Sequence, residues 1–309
     1  MRVLAFDTSN YTTSVALFDG SQGRNMSHLL DVEPGALGLR QSDALFAHIK
    51  RLPELTDRLF SDSGAGNICA IGASTRPRAV EGSYMPCFLA GQSQAQVMAS
   101  ALGVPFYAFS HQQGHIAASL WSSGHMELMD EPHLAWHLSG GTTELLYVSP
   151  DGLNVKAEKI GGTTDISAGQ LIDRTGQLLG LPFPAGKALD ALSREAVERE
   201  TFRVKVQGMR FSLSGVQNKV QAYHKDKPCE TAAYALRCLI GAIVEASKNA
   251  LKEYPNCKVV FAGGVASNSL LREKCAALPA IFCPNEFSTD NALGTAVLTW
   301  RIHHGTAHL

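Results

Sequence analysis

The chain has 309 residues, of which 45% are hydrophobic and 18% charged, with a formal charge of -1: the make-up of a soluble globular protein with a sizeable core. The near-neutral balance excludes a chain-wide basic field for non-specific nucleic-acid binding, so an RNA substrate needs a local patch or a partner protein. Seven scattered cysteines without a C-x-x-C pair point to reduced thiols in a cytoplasmic protein, and no apolar run reaches the length of a membrane span.

Val3 to Phe6 reads as a short apolar strand and leaves no room for a signal peptide. It ends in the polar turn Asp7-Thr8-Ser9-Asn10, and a second strand, Ser14 to Phe18, returns to Asp19-Gly20. Helical patterns follow at Ser42 to Phe60 and Phe88 to Ala101, with a strand at Ile68 to Ala73 between them. The opening design then recurs: Leu134 to Leu138, the turn Ser139-Gly140-Gly141-Thr142-Thr143, and a returning strand Leu145 to Val148. Two such hairpins predict a duplicated domain. Helices are expected at Gln170 to Leu179, Lys187 to Glu200 and Cys229 to Tyr254. The apolar strand Val259 to Ala262 then meets Gly263-Gly264 and a helix starting near Asn268. Interleaved strands and helices give an α/β class with mixed sheets.

Three features can carry chemistry. At a strand end opening a helix, Gly263 and Gly264 would let a ligand approach the backbone, and the helix start offers N–H groups to an anion; the alternative is a tight turn capped by Asn268. The two turns rich in hydroxyl residues and glycine could hold phosphates, or could simply suit hairpins. His111 and His115, four apart in Ser110-His111-Gln112-Gln113-Gly114-His115, share one face if helical and suit metal ligation. A third ligand is needed, and Asp290, in a polar turn before the last apolar helix, is the candidate; otherwise it is a helix cap. A metalloprotease is disfavoured, because Gln112 stands where its general-base glutamate would be. His28, His48 and His224 are expected on the surface, His303, His304 and His308 at a frayed end, and Arg194 to Arg203 on a solvated helix face.

Taken in order, Phe6-Asp7-Thr8-Ser9, HQQGH, LSGGTTEL, IDRTGQLLGLPFPAGKAL, FSLSGVQNK, FAGGVASNSLLR and FSTDNALG resemble the TsaD family of tRNA threonylcarbamoyladenosine synthases, formerly described as O-sialoglycoprotein endopeptidases. The resemblance implies two ribonuclease-H-like domains of the actin/sugar-kinase/Hsp70 superfamily around a nucleotide cleft, here 1–130 and 131–309, with the final helix free to pack back on the first. It implies a divalent metal, iron or zinc, on His111, His115 and Asp290, with His137 as a fourth ligand where some members carry a tyrosine. It also implies ATP, AMP or an acyl adenylate against Leu138, Ser139, Gly140, Gly141, Thr142, Asp173, Gly186 and Asn268. The expected reaction moves a threonylcarbamoyl group to the adenosine beside the tRNA anticodon, with Asp7 and Asp173 as catalytic acids. The expected partners are tRNA presented with other proteins, and a related ribonuclease-H-like scaffold as heterodimer; no membrane is involved.

The sequence departs from the family pattern at the expected site. Tyr11-Thr12 replace an acidic pair, Gln113, Ile166 and Gln170 replace carboxylates, and Thr142 and Gln217 stand where His or Asn and Lys are usual. These departures point to a divergent paralogue. The alternatives are an O-carbamoyltransferase-type enzyme acting on a small molecule, and a non-catalytic scaffold.

Overall fold

A computed structural model describes residues 1–9, 11–31, 39–64, 66–198, 200–223, 227–284, 287 and 291–305. In chain order the elements are β1 (Arg2–Asp7), β2 (Thr12–Phe18), β3 (Gly23–Leu29), α1 (Gln41–Ser63), β4 (Ile68–Arg76), α2 (Phe88–Leu102), β5 (Phe106–Ser110), α3 (His111–Ser123), β6 (His133–Leu138), β7 (Thr143–Asp151) and β8 (Asn154–Thr163). After these come α4 (Ala168–Leu178), α5 (Gly186–Ser193), β9 (Val206–Gln207), β10 (Arg210–Phe211), α6 (Ser214–Tyr223), α7 (Pro228–Glu253), β11 (Val259–Ala262), α8 (Ser269–Cys275), β12 (Ala280–Phe282) and α9 (Leu293–His304).

The chain divides into two compact units. The first comprises Met1–Glu131, Ser149–Ala157 and Thr289–Leu309, the second Pro132–Val148 and Glu158–Ser288. The first contains a sheet in the order β3-β2-β1-β4-β5, antiparallel from β3 to β1 and parallel from β1 to β5. The larger sheet runs β12-β11-β6-β7-β8-β10-β9. Its stretch β8-β7-β6-β11-β12 repeats the first order, with β6 antiparallel to β7 and parallel to β11. The second copy carries α4 to α7 and the short β9 and β10 between its third and fourth strands.

Central strands are continuous apolar runs because both their faces are covered: Val3, Leu4, Ala5 and Phe6 are all buried, as are Leu134, Ala135, Trp136 and Leu138. In α1 the buried residues Ala44, His48, Leu52, Leu55 and Leu59 recur at helical spacing and form the stripe facing the sheet. His48 is therefore not on the surface. Its Nδ1 lies 2.8 Å from the buried Thr13 hydroxyl, which satisfies the imidazole inside the core. His28 is half-buried on β3, and His224 lies outside the described residues.

In the first unit α9 packs on α3, β1, β2 and β4. Gly72 on β4 admits Thr299 so closely that a side chain there would strike its hydroxyl, and Gly294 does the same for the backbone of Gly114 on α3. Arg301, fully buried, donates to the Leu153 carbonyl at 2.9 Å and to Asp130 at 2.5 Å. His303 and His304 are the last residues of α9 and make ring contacts, so they are not a frayed end; His308 lies outside the described residues.

The helix expected over 187–200 stops at Ser193. Beyond it the chain leaves helical geometry because its polar groups have other partners. The carbonyl of Glu198 accepts from Arg237 at 2.6 Å, and the N–H of Phe202 points at Cys238 Sγ at 3.3 Å. The segment is tied to α7 rather than presenting a solvated helix face.

Candidate active site

β1 delivers Asp7 to its C-terminal end, and β5 runs directly into α3, placing His111 at the first helical position. Ser110 caps that helix. Its hydroxyl accepts from the N–H of Gln113, and Gln113 Oε1 accepts in return from the Ser110 N–H at 2.9 Å. Gln113 Nε2 then donates to the Val155 carbonyl at 2.8 Å. The amide at 113 thus does two things at once, and a carboxylate could do only the first.

His111 Nδ1 lies 2.9 Å from Asp7 Oδ2, and its Nε2 3.4 Å from the Ser9 hydroxyl. The His115 ring stands one turn on, centroid to centroid 4.2 Å from that of His111. Asp7 is 1% exposed and also accepts from the Ser74 hydroxyl and, at 2.9 Å, from the Ser9 N–H. Burial alone would push its carboxyl up, but His111 and these donors outweigh it and hold it below the usual carboxylate range. With Asp7 ionised, its hydrogen bond to His111 puts the proton on Nδ1 and leaves Nε2 with the lone pair. Asp290 lies outside the described residues, and His137 belongs to the second unit, on β6, with Glu144 as its cross-strand neighbour.

In the second unit the parallel strands β6 and β11 end side by side, Ala262 opposite His137. The turn Ser139–Thr142 closes with the Thr142 N–H on the Ser139 hydroxyl at 3.0 Å. The start of α4 lies against it: Ser167 donates to the Gly140 carbonyl at 2.5 Å, and Gly169 has no space for a side chain above Gly140. Gly140, Gly141, Gly186 and Gly264 all face open space where a Cβ would be, whereas Gly263, at φ +97°, is pressed on the Leu138 carbonyl. Glycine is required at 263 for packing and leaves the backbone accessible at 264.

Asn268 caps α8 through its carbonyl oxygen, 3.1 Å from the Leu271 N–H, and donates from Nδ2 to Asp190 at 3.1 Å. Asp173 on α4 accepts from the Ala185 N–H at 2.9 Å and so sets the start of α5, where Gly186 sits. Leu138 to Thr142, Asp173, Gly186, Gly263, Gly264 and Asn268 therefore lie on segments of one unit that are linked at the ends of its parallel strands. Sequence reasoning missed Asp190, which also takes the Ser269 N–H at 3.1 Å and hydroxyl at 2.8 Å. Its only signal was its place directly after the LPFPAGKAL segment.

Two substituted carboxylates acquire a structural reason. Gln170, like Gln113, is the third residue of a capping box, its Oε1 3.0 Å from the Ser167 N–H. Asp165 is fully engaged, accepting from the Ile166 and Leu213 N–H groups at 2.8 Å and the Ser214 hydroxyl at 2.7 Å. Burial raises its carboxyl, yet the Ser212 hydroxyl, the Ser214 hydroxyl and the Leu213 and Ser214 N–H groups hold it far below the usual range. It is an anchor for the turn into α6.

The second unit also contains an open cavity of about 680 Å³ whose rim carries Arg203, Arg237, Lys248, Lys252 and Lys274 against the single acid Glu245. It is a local basic patch on a near-neutral chain. No helix among the described residues is long and apolar enough to cross a membrane.

Residues 38–297 match the family model of TsaD, tRNA N6-adenosine threonylcarbamoyltransferase. The chain is 34% identical over 314 residues to a protein of that name from Thermus thermophilus, covering 98% of this chain and 93% of the relative. To its namesake from Carboxydothermus hydrogenoformans it is 31% identical over 308 residues, covering 94% and 89%. Among solved structures it resembles HypF of T. kodakarensis, with a TM-score of 0.65, 16% identity and 98% of this chain covered, although it spans only 48% of HypF. Full-length HypF in a phosphate- and nucleotide-bound form gives a TM-score of 0.62 at 16% identity, covering 99% of this chain and 56% of that one. Component A of the Acidaminococcus fermentans (R)-2-hydroxyglutaryl-CoA dehydratase gives 0.55 at 12% identity, covering 98% and 99%. The chain shares its fold with these proteins, as expected for the actin/sugar-kinase/Hsp70 type.

Proposed function

The chain belongs to the TsaD family of tRNA N6-adenosine threonylcarbamoyltransferases, and from that premise we propose that it moves a threonylcarbamoyl group from an acyl adenylate to the adenosine beside the tRNA anticodon, or performs a divergent variant of that transfer. The observation that carries this reading is the buried Asp7 held on His111, with His115 one turn away. Two imidazoles on one helix face, one oriented by a carboxylate, fit a divalent iron or zinc ion, with Asp290 as the third ligand from the family pattern. When bound, such an ion supplies a Lewis acid for the carbamoyl donor. Asp7 then positions His111 and does not itself take the proton.

The nucleotide part of the donor is assigned to the second unit, along the turn Ser139–Thr142 and the open backbone at Gly186 and Gly264. Asp173 and Asn268 shape these segments by their hydrogen bonds to Ala185 and Asp190. HypF, on the same fold, has been solved with a nucleotide, which supports this part of the reading. The basic rim from Arg203 to Lys274 offers tRNA phosphates the local attraction that the overall charge lacks. Partner proteins, including a related ribonuclease-H-like scaffold, would present the tRNA in the cytoplasm.

Since Gln113 and Gln170 serve as caps, the replaced carboxylates that bear on acceptor choice reduce to Tyr11, Thr12 and Ile166, beside the changes at Thr142 and Gln217. The test is transfer to tRNA from the threonylcarbamoyl adenylate, with the family's usual partner proteins present. We expect turnover that is weaker than that of an ordinary member and rises in Tyr11→Asp with Thr12→Glu. Turnover only with another amine or hydroxyl acceptor would move the chain to the carbamoyltransferase alternative. Full metal occupancy in His111→Ala with His115→Ala would remove the metal assignment.

A further inference from the structure

Cys69, His303 and His304 lie apart from the residues assigned above. Among the described residues they are the one group of three His, Cys, Asp or Glu side chains whose ligand atoms all lie within 4.8 Å of one another. The fold brings them together for a reason visible in the packing. Thr299 on α9 sits against Gly72 on β4; one helical turn further along α9 and three residues back along β4 bring His303 to Cys69.

The two imidazoles are already held in the way ligands are. The His304 ring stacks on Trp300, centroids 3.8 Å apart, and its Nδ1 lies 3.1 Å from the Trp300 carbonyl oxygen. Donation to that carbonyl puts the proton on Nδ1 and the lone pair on Nε2. His303 Nδ1 lies 3.4 Å from the Tyr107 hydroxyl, and when Nδ1–H donates to that oxygen the lone pair is again on Nε2. A metal-binding imidazole typically has its other ring nitrogen fixed like this by a carbonyl or similar group. The Cys69 thiol lies 3.3 Å from the Arg2 carbonyl oxygen.

We propose that Cys69, His303 and His304 bind a zinc ion, with water in the fourth place, as a clip that fastens the end of α9 to the start of β4. One thiolate and two imidazoles suit zinc and exclude magnesium and calcium, which require oxygen ligands. Binding forms one Zn–S and two Zn–N bonds and releases the thiol proton to solvent. The ligand atoms must close from a separation of up to 4.8 Å to the roughly 3.3–3.8 Å edges of a tetrahedral zinc site, a movement within reach of side-chain rotation. Because its ligands stand far apart in the chain, the ion closes a long loop and adds its binding energy to the fold.

The experiment strips the purified full-length chain with a chelator and titrates cobalt(II) alone, then zinc(II) in competition. Cobalt bound by a thiolate gives a near-ultraviolet sulfur-to-metal charge-transfer band, which a site built from His111, His115 and a carboxylate cannot give. We expect the band in the wild type and in His111→Ala with His115→Ala, its loss in Cys69→Ser and in His304→Gln, and its displacement by zinc. Zinc should raise the Tm of the wild type, and Cys69→Ser should lower zinc affinity by at least about tenfold, the least that disturbing even an outer partner costs. No band in the wild type overturns the proposal, whether or not either variant folds. A band that survives Cys69→Ser, or disappears with the His111 and His115 changes, overturns it as well.

Discussion

Gly294, the second residue of α9, lies against the carbonyl oxygen of Gly114, the glycine between His111 and His115 on α3, with no space between them for a methyl group. The helix that presents the two histidines is therefore seated directly on the backbone of the C-terminal helix. Gly294→Ala must push α3 off that seat. We expect a loss of about 1–3 kcal/mol of stability, the usual cost of overpacking, together with weaker metal binding. Chemical denaturation and metal analysis of the same preparation check both.

Gln113→Glu tests whether the missing acid in the histidine motif is a lost function. The carboxylate can still accept from Ser110, but it faces the Val155 carbonyl where the amide donated. We expect destabilisation of about 1–3 kcal/mol from two acceptors left facing each other, and no gain in transfer to tRNA. An increase in activity would return the residue to the catalytic set.

Gly263 and Gly264 should behave oppositely. Alanine at 263 meets the Leu138 carbonyl at a positive φ and should destabilise the fold, whereas valine at 264 enters open space. We expect Gly264→Val to keep the wild-type Tm and lose adenylate affinity. Calorimetry with unchanged affinity would place the nucleotide elsewhere.

For the basic rim, Lys248→Glu with Lys252→Glu should weaken tRNA binding regardless of sequence. It should also flatten the salt dependence by roughly one log–log unit for each phosphate that is no longer neutralised. Nucleotide binding should not change. Filter binding across a salt series separates the two effects.

Asp165 makes stability depend on acid. Its carboxyl is depressed in the folded state, so its contribution is fully present above the unfolded value of about 3.9 and is lost as the pH falls below it toward the folded value. Asp165→Asn should cost about 1 kcal/mol at neutral pH, a figure discounted for an exposed turn. That gap should close in acid, as read from denaturation curves at both pH values.

Legibility in the sequence followed burial. The hairpins around Asp7 and Ser139 could be read because β1, β2, β6 and β7 are apolar runs covered on both faces. β3 could not, because it is an edge strand of mixed residues, Gly-Arg-Asn-Met-Ser-His-Leu, on the open side of its sheet. His111 and His115 stood out by spacing alone. The meaning of Gln113 did not, since half of its partners come from Val155, and a substituted carboxylate looks like a lost charge until its amide nitrogen has an acceptor. Asp190 with Asn268, and Cys69 with His303, were invisible for the same reason: their pairing depends on distant elements.

The seat that α9 provides has a consequence for the order in which the protein is made. Its residues are the last described ones to leave the ribosome, yet they cover β1 and β4, among the first. The second unit lies within Pro132–Ser288 and can complete its own sheet while synthesis continues. The first unit must wait, with β1 and β2 lacking their cover from α9, until the segment through His304 has emerged. The first unit is thus the later of the two to mature, and the histidines of α3 gain their support only after α9 has emerged.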